Sequence, residues 1–201
     1  MTHEYLRGST RMYKINMDTI VQDTDPVLRK KSEPVSFPLE KSDIELMEDM
    51  LKYVRDSRND ELAKKYNLQP ANGIAAIQTG VAKQMTVIIT EEEMKDGSIK
   101  ETEYALINPR IVAHSEKQVA LSYGEGCLSV REEHPGLVRR SLRIQVKAFD
   151  YLAQKEVTIK AKDLLAIVLQ HEIDHLNGIL FYDHINKKQP WDAEPGLKLL
   201  D

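Results

Sequence analysis

The run His171-Glu172-Ile173-Asp174-His175 constrains this chain more than any other five residues in it. Positions i and i+4 share one helical face, so the two imidazoles can reach one metal ion together. The glutamate beside the first histidine can reach a water at that ion without being a ligand. A chance pair of surface histidines would show the same pattern. Here, however, the run closes a segment, residues 163–177, whose first turns are apolar. Asp163 is its expected N-cap and Gly178 its expected C′ residue. An otherwise apolar helix faces inward, which favours the metal reading.

A hydrolytic site of this kind needs a third protein ligand and an open position. The longer pattern HExxHxxGxxH fits at Gly178, but Phe181 stands where the third histidine would be, and His184 lies three residues too far on. Glu194 has the approximate spacing of a glutamate on a following helix, yet Pro190 and Pro195 bracket it and oppose such a helix. The third candidate is Cys127, the only thiol in the chain. One cysteine with two histidines is an accepted ligand set for a divalent metal. Two other readings of Cys127 stand beside it: a small buried hydrophobe, and a Cys–His nucleophile that would leave HExxH unexplained.

The rest of the chain supplies a scaffold. Apolar residues make up 41% and charged residues 30% of 201 positions, the range of an ordinary globular unit. We expect a single catalytic domain over 1–201. Residues 1–40, with Pro26, Pro34 and Pro38, should form an extended wrap, and Pro190, Pro195 and Gly196 make 186–201 a non-helical tail. The net charge of −4 and a pI near 5.9 argue against general binding to nucleic acid or an anionic membrane. No stretch approaches the ~18 apolar residues of a membrane span. The opening MTHEYLRGSTRMYKIN has no apolar core of the kind a secretory signal needs. A lone cysteine precludes an internal disulfide framework and fits a reducing compartment, most simply the cytoplasm.

Residues 42–57 read as a core-packing helix, with a capping box from Ser42 to Glu45 and an apolar stripe of Ile44, Met47, Leu51 and Val54. MTVIIT (85–90) reads as a buried strand. EEEMKDGSIKETE is a charged insertion turning at Asp96-Gly97. YALINPRIVA (104–113) is strand-like but interrupted by Pro109. LRIQVKAFD (142–150) alternates, with Leu142, Ile144, Val146 and Ala148 on one face, and makes a hairpin with KEVTIKA (155–161). ILFYDHI should add one more strand. The fold class is α+β, mainly antiparallel sheet around the helix that carries HExxH.

Three segments, in order along the chain, resemble the motifs of the peptide deformylases: a Gly-containing loop ending in Gln78, then Glu125-Gly126-Cys127-Leu128-Ser129, then His171-Glu172-Ile173-Asp174-His175. The last two match at every defining position, and Asp25-Pro26-Val27-Leu28-Arg29 is similar to that family's N-terminal wrap. The likeness covers about residues 20–185. In the first loop the family pattern is G-x-G-x-A-A-P-Q. Gly73, Ala75, Ala76 and Gln78 match it; Ala71, Asn72 and Ile77 depart from it. The insertion at 91–103 and the helix-breaking tail resemble the longer type found in Gram-positive bacteria and mollicutes.

The resemblance implies removal of the formyl group from the N-terminal formyl-methionine of new polypeptides, releasing formate. It implies one divalent metal per chain on Cys127, His171 and His175, with Fe2+ expected and Zn2+, Ni2+ or Co2+ able to take its place. Glu172 would accept and return a proton. The Gln78 side-chain amide and the Leu128 backbone N–H are the family's oxyanion donors. Gly73 would let an extended peptide approach its backbone closely. Ile167 and Val168, about one turn before His171, are candidates to line a methionine pocket or simply to fill the core. Glu125 and Arg29 are given no catalytic part. The expected partner is a nascent formyl-Met polypeptide at the ribosome, met by a monomer. Two alternatives remain: a structural zinc site closed by His134 or His184, and a metallopeptidase cleaving internal bonds.

Overall fold

A computed structural model describes residues 14–94 and 96–201. The readings made for residues 1–13, as the start of the wrap and as a stretch without a secretory signal, lie outside the described residues. From residue 14 the chain runs along the surface to a short 3-10 turn, Pro26–Arg29. Asp25 starts that turn by accepting the Val27 N–H, and Pro26 supplies a preset φ. The turn drives Leu28, fully buried, into a small cluster with Ala75, Ile77 and Leu176.

Helix α1 spans Lys41–Ser57. The capping box does not form. Glu40 is the N-cap without a side-chain cap bond, and the Ser42 hydroxyl instead lies 3.4 Å from Glu40 Oε2. Met47, Leu51 and Val54 are buried as the stripe requires. Ile44 is not, at 38% exposure, and Met50 and Tyr53 widen the buried face. Helix α2, Asp60–Tyr66, is capped by Asn59, which accepts the N–H groups of Glu61 and Leu62.

The strands follow as β1 (Gly73–Ala75), β2 (Met85–Glu93), β3 (Ile99–His114), β4 (Gln118–Leu121), β5 (Arg140–Ser141), β6 (Arg143–Asp150) and β7 (Lys155–Lys162). Helix α3 (Asp163–Leu176) and β8 (Lys198–Leu200) complete the order. Among the described residues, β1-β2-β3-β6-β7 form an antiparallel sheet. A smaller sheet, β5-β4-β8, pairs β4 with β8 in parallel. Strand β1 is an edge.

The charged insertion is the tip of the β2–β3 hairpin. Pro109 does not interrupt β3. The strand absorbs it in a register shift between Ile107 and Arg110, where Asn108 takes a left-handed φ of 52°. The Asn108 side chain then exchanges two hydrogen bonds with the Val35 backbone, at 2.8 and 2.9 Å, and ties the wrap to the sheet. The β6–β7 hairpin forms as expected, with Ile144, Val146 and Ala148 buried.

Two cores sandwich the larger sheet. Met47, Leu51 and Val54 of α1 pack with Val87, Ile89 and Ile107. Ala166, Leu169 and Ile173 of α3 pack on the opposite face with Ile88, Leu106 and Val146. Asp163 is not the N-cap of α3. Lys162 holds that position, and Asp163 is the first helical residue, at φ 53°, with its carboxylate 2.6 Å from Lys198 Nζ. The other end closes as expected on Gly178 at φ 74°. The Ile179 N–H donates to the Asp174 carbonyl and the Gly178 N–H to that of His175, a Schellman arrangement. ILFYDHI is not a strand. Residues Phe181–His184 make a 3-10 turn, because the Asp183 side chain accepts the Leu180 N–H at 2.9 Å and offers the backbone a local bond instead of a ladder. Among the described residues no helix is long and apolar enough to cross a membrane.

Candidate metal centre

Helix α3 presents His171 and His175 one turn apart, their ring centroids 4.9 Å from each other. The loop between β4 and β5 brings Cys127 to them. The three ligand atoms lie within 4.8 Å of one another, and Cys127 Sγ is 3.2 Å from His175 Nε2. Among the described residues no fourth such side chain joins this trio. His184 instead lies on Asp174 at 2.7 Å, and His134 stacks on Tyr182 at 4.1 Å. Phe181, at the position that denied a third histidine, stacks on His171 with a centroid distance of 6.1 Å.

A thiol and two imidazoles so close together suit a borderline-soft divalent metal. The local bonding suits it too. His171 Nδ1 donates to Glu125 Oε2 at 2.8 Å, which leaves Nε2 available to a metal ion. Burial holds the His175 pKa well below its ordinary value, so the ring stays neutral and able to coordinate. Two N–H donors face the sulfur, Ser129 N at 3.4 Å and Gln78 Nε2 at 3.5 Å.

A cavity of about 290 Å3 opens beside the trio. Of the nine residues singled out from sequence, Gly73, Gln78, Cys127, Leu128, Ile167, Val168, His171 and Glu172 line it. His175 sits behind them, 1% exposed. Glu172 is buried, and its Oε2 has no hydrogen-bond partner among the described residues. Burial pushes its pKa up to about 7. Gly73 lies directly against it: a Cβ there would fall 2.6 Å from Glu172 Oε1. The glycine therefore makes room for the carboxylate of its own chain.

Gln78 is held in one orientation. Its Oε1 accepts the Ala75 N–H at 2.9 Å, so its Nε2 points at Ser129 Oγ, 3.1 Å away, and at Cys127. The departures in this loop have structural partners. The Ala71 N–H donates to Ser57 Oγ at 3.3 Å, Asn72 Oδ1 accepts from Arg58 at 3.3 Å, and Ile77 is fully buried under the wrap.

Sequence reasoning gave Glu125, inside the cysteine motif, a supporting or structural part and no catalytic one, and it missed Arg140. Burial opposes ionisation of Glu125, but hydrogen bonds from His171 and Arg140 outweigh it and pull its pKa down to about 2. Arg140 grips both Glu125 oxygens, at 2.9 and 3.0 Å, and also reaches Asp174. Arg140, in a run of basic residues, gave no sign of being buried.

An α+β sandwich whose inner helix sets two histidines against a loop cysteine, beside a buried glutamate and an open cavity, defines a metallohydrolase of the HExxH class. The comparisons narrow that class. The family description "Polypeptide deformylase" matches residues 17–191, and the chain belongs to this family, whose members depend on a metal. A peptide deformylase of Ligilactobacillus salivarius is 44% identical over 93% of this chain and 100% of its own length. The peptide deformylase of Ehrlichia chaffeensis, solved in complex with actinonin, is 35% identical. It superposes with a TM-score of 0.66 over 86% of this chain and 90% of that one. A class I type b peptide deformylase from Acinetobacter baumannii, solved bound to Met-Ala-Ser, is 26% identical with a TM-score of 0.63, over 83% and 96% of the two chains.

Proposed function

We propose that this chain hydrolyses the formamide at the N-terminus of formyl-methionyl polypeptides and releases formate. The observation that carries the reading is the convergence of Cys127, His171 and His175 within 4.8 Å, beside a buried Glu172 with one unpaired oxygen, in a chain of the polypeptide deformylase family.

A divalent ion held by Cys127 Sγ, His171 and His175 would supply Lewis acidity that makes a water nucleophilic near neutral pH. Glu172 takes the proton of the attacking water on Oε2 and returns it to the departing amine. A carboxylate with a pKa of about 7 can do both. Gln78 Nε2 donates to the formyl oxygen as negative charge develops there, and the Leu128 N–H is the second donor. One such donor is worth about 3 kcal/mol of barrier. Ile167 and Val168 form the apolar wall of the methionine pocket. The free side of β1, with Gly73 on the cavity, accepts an extended peptide as an added strand. The peptide found on the A. baumannii enzyme supports a product of that kind.

Fe2+ is our reading of the native ion, from the family resemblance. The Cys–His–His set also suits Zn2+, Ni2+ and Co2+. We place the reaction in the cytoplasm, on nascent chains at the ribosome, carried out by a monomer.

The test is anaerobic purification, metal analysis and formate release from a formyl-Met peptide, for wild type, Glu172→Gln and Cys127→Ala. Loss of turnover in E172Q with metal retained, and loss of metal in C127A, are expected. Unchanged turnover in E172Q overturns the reading. Release of inner fragments without formate would mark an endopeptidase instead.

A further inference from the structure

Arg140 takes no part in the chemistry above, yet its side chain is only 2% exposed, and a buried guanidinium is costly unless something uses it. It faces two carboxylates from different segments. Nε and Nη2 hold Glu125, in the loop that carries Cys127, and Nη1 holds Asp174, in the helix that carries both histidines. Glu125 continues to His171 Nδ1. Asp174 also accepts from His184.

The backbone under Arg140 is anchored to the same helix. Gln170, one residue before His171, exchanges two hydrogen bonds with Ser141: its Oε1 accepts the Ser141 N–H at 2.9 Å and its Nε2 donates to the Ser141 carbonyl at 3.0 Å. The other edge of β5 is paired to β4, which leads into the Cys127 loop. Arg140 thus stands where strand, helix and loop are all fixed, and its planar fork spans the loop-to-helix gap.

We propose that Arg140 is a positioning residue that clamps the Cys127 loop to α3 through Glu125 and Asp174, so that sulfur and imidazoles are held at metal-binding separation before the ion arrives. The inference rests on the metal site proposed above. The clamp acts through Glu125 on His171, so its loss acts first on how tightly the metal is held, and only through that on turnover.

The experiment measures Co2+ affinity by chelator competition, the Co2+ absorption spectrum, and the melting of the metal-free protein. The variants are Arg140→Met, Arg140→Lys, Glu125→Gln and the double variant E125Q/R140M, with Arg139→Met, whose side chain pairs with Glu194 on the tail, as control. R140M is expected to weaken Co2+ binding roughly 10- to 100-fold and to alter the spectrum, while R139M matches wild type. R140K, a point charge that cannot bridge both carboxylates, should fall between wild type and R140M. The double variant should lose little more than the worse single one, because the two residues act in series.

A folded R140M with wild-type affinity and spectrum overturns the proposal, as do fully additive losses in the double variant. If R140M does not fold, R140K decides: a folded R140K with unchanged affinity and spectrum overturns it equally. If C127A binds Co2+ as tightly as wild type, the metal site itself has failed; if C127A loses the ion and R140M does not, only the clamp has.

Discussion

Gly73 shows how closely one residue can be tied to another far along the chain. With Glu172 Oε1 only 2.6 Å from where its Cβ would be, Gly73→Ala must displace the carboxylate. Misplacement by about 1 Å can cost on the order of 100-fold in rate, so G73A should keep its fold and lose about that much in kcat. Steady-state formate release beside circular dichroism checks this. Gln78→Ala removes one aimed donor and should lower kcat by about 100- to 1,000-fold, with a much smaller change in KM. Glu125 adds a pH effect. Its folded-state pKa of about 2 lies below the ordinary 4.5, so its stabilisation is present above pH 4.5 and is lost as pH falls towards 2. The shift corresponds to about 3 kcal/mol. Urea titrations of the metal-free protein between pH 6 and pH 2.5 should show wild type losing more stability than E125Q.

At the scale of elements, the sequence was most legible where period and chemistry agreed. The β6–β7 hairpin and the buried strand β2 follow from alternation and apolar runs. The HExxH helix follows from its apolar turns and Gly178. Helix starts were read less well, because Ser42 and Asp163 have good capping side chains but the chain enters the helices earlier, two residues before Ser42 at Glu40 and one before Asp163 at Lys162. ILFYDHI was misread because an apolar start suggests a strand, while Asp183 bonds locally to the Leu180 N–H. At the site, the residues of the three motifs could be named from sequence. Arg140 could not, since its burial depends on two carboxylates distant in the chain. The wrap is a structural element in its own right: Leu28→Ala empties a position shared with Ala75, Ile77 and Leu176, and should cost about 2–5 kcal/mol of unfolding free energy in urea.

For the whole molecule, ion and fold are linked. The ligands come from a loop and from a helix in the core, so an ion that binds only the folded chain stabilises all of it. At a metal concentration about 100 times its dissociation constant the gain is about 2.7 kcal/mol. In a chain of 201 residues that corresponds to a fall in Tm of roughly 5–10 °C when a chelator strips the ion. Scanning calorimetry with and without chelator measures it, and C127A should show no such difference.

The open edge of β1 has a last consequence. In the mode of binding proposed for this chain, groups common to every residue of a guest peptide would satisfy that edge, and Ile167 and Val168 would meet its first side chain. A catalyst arranged in this way is selective about how a chain begins and indifferent to what comes after. That suits an enzyme whose substrates share an opening residue and little else.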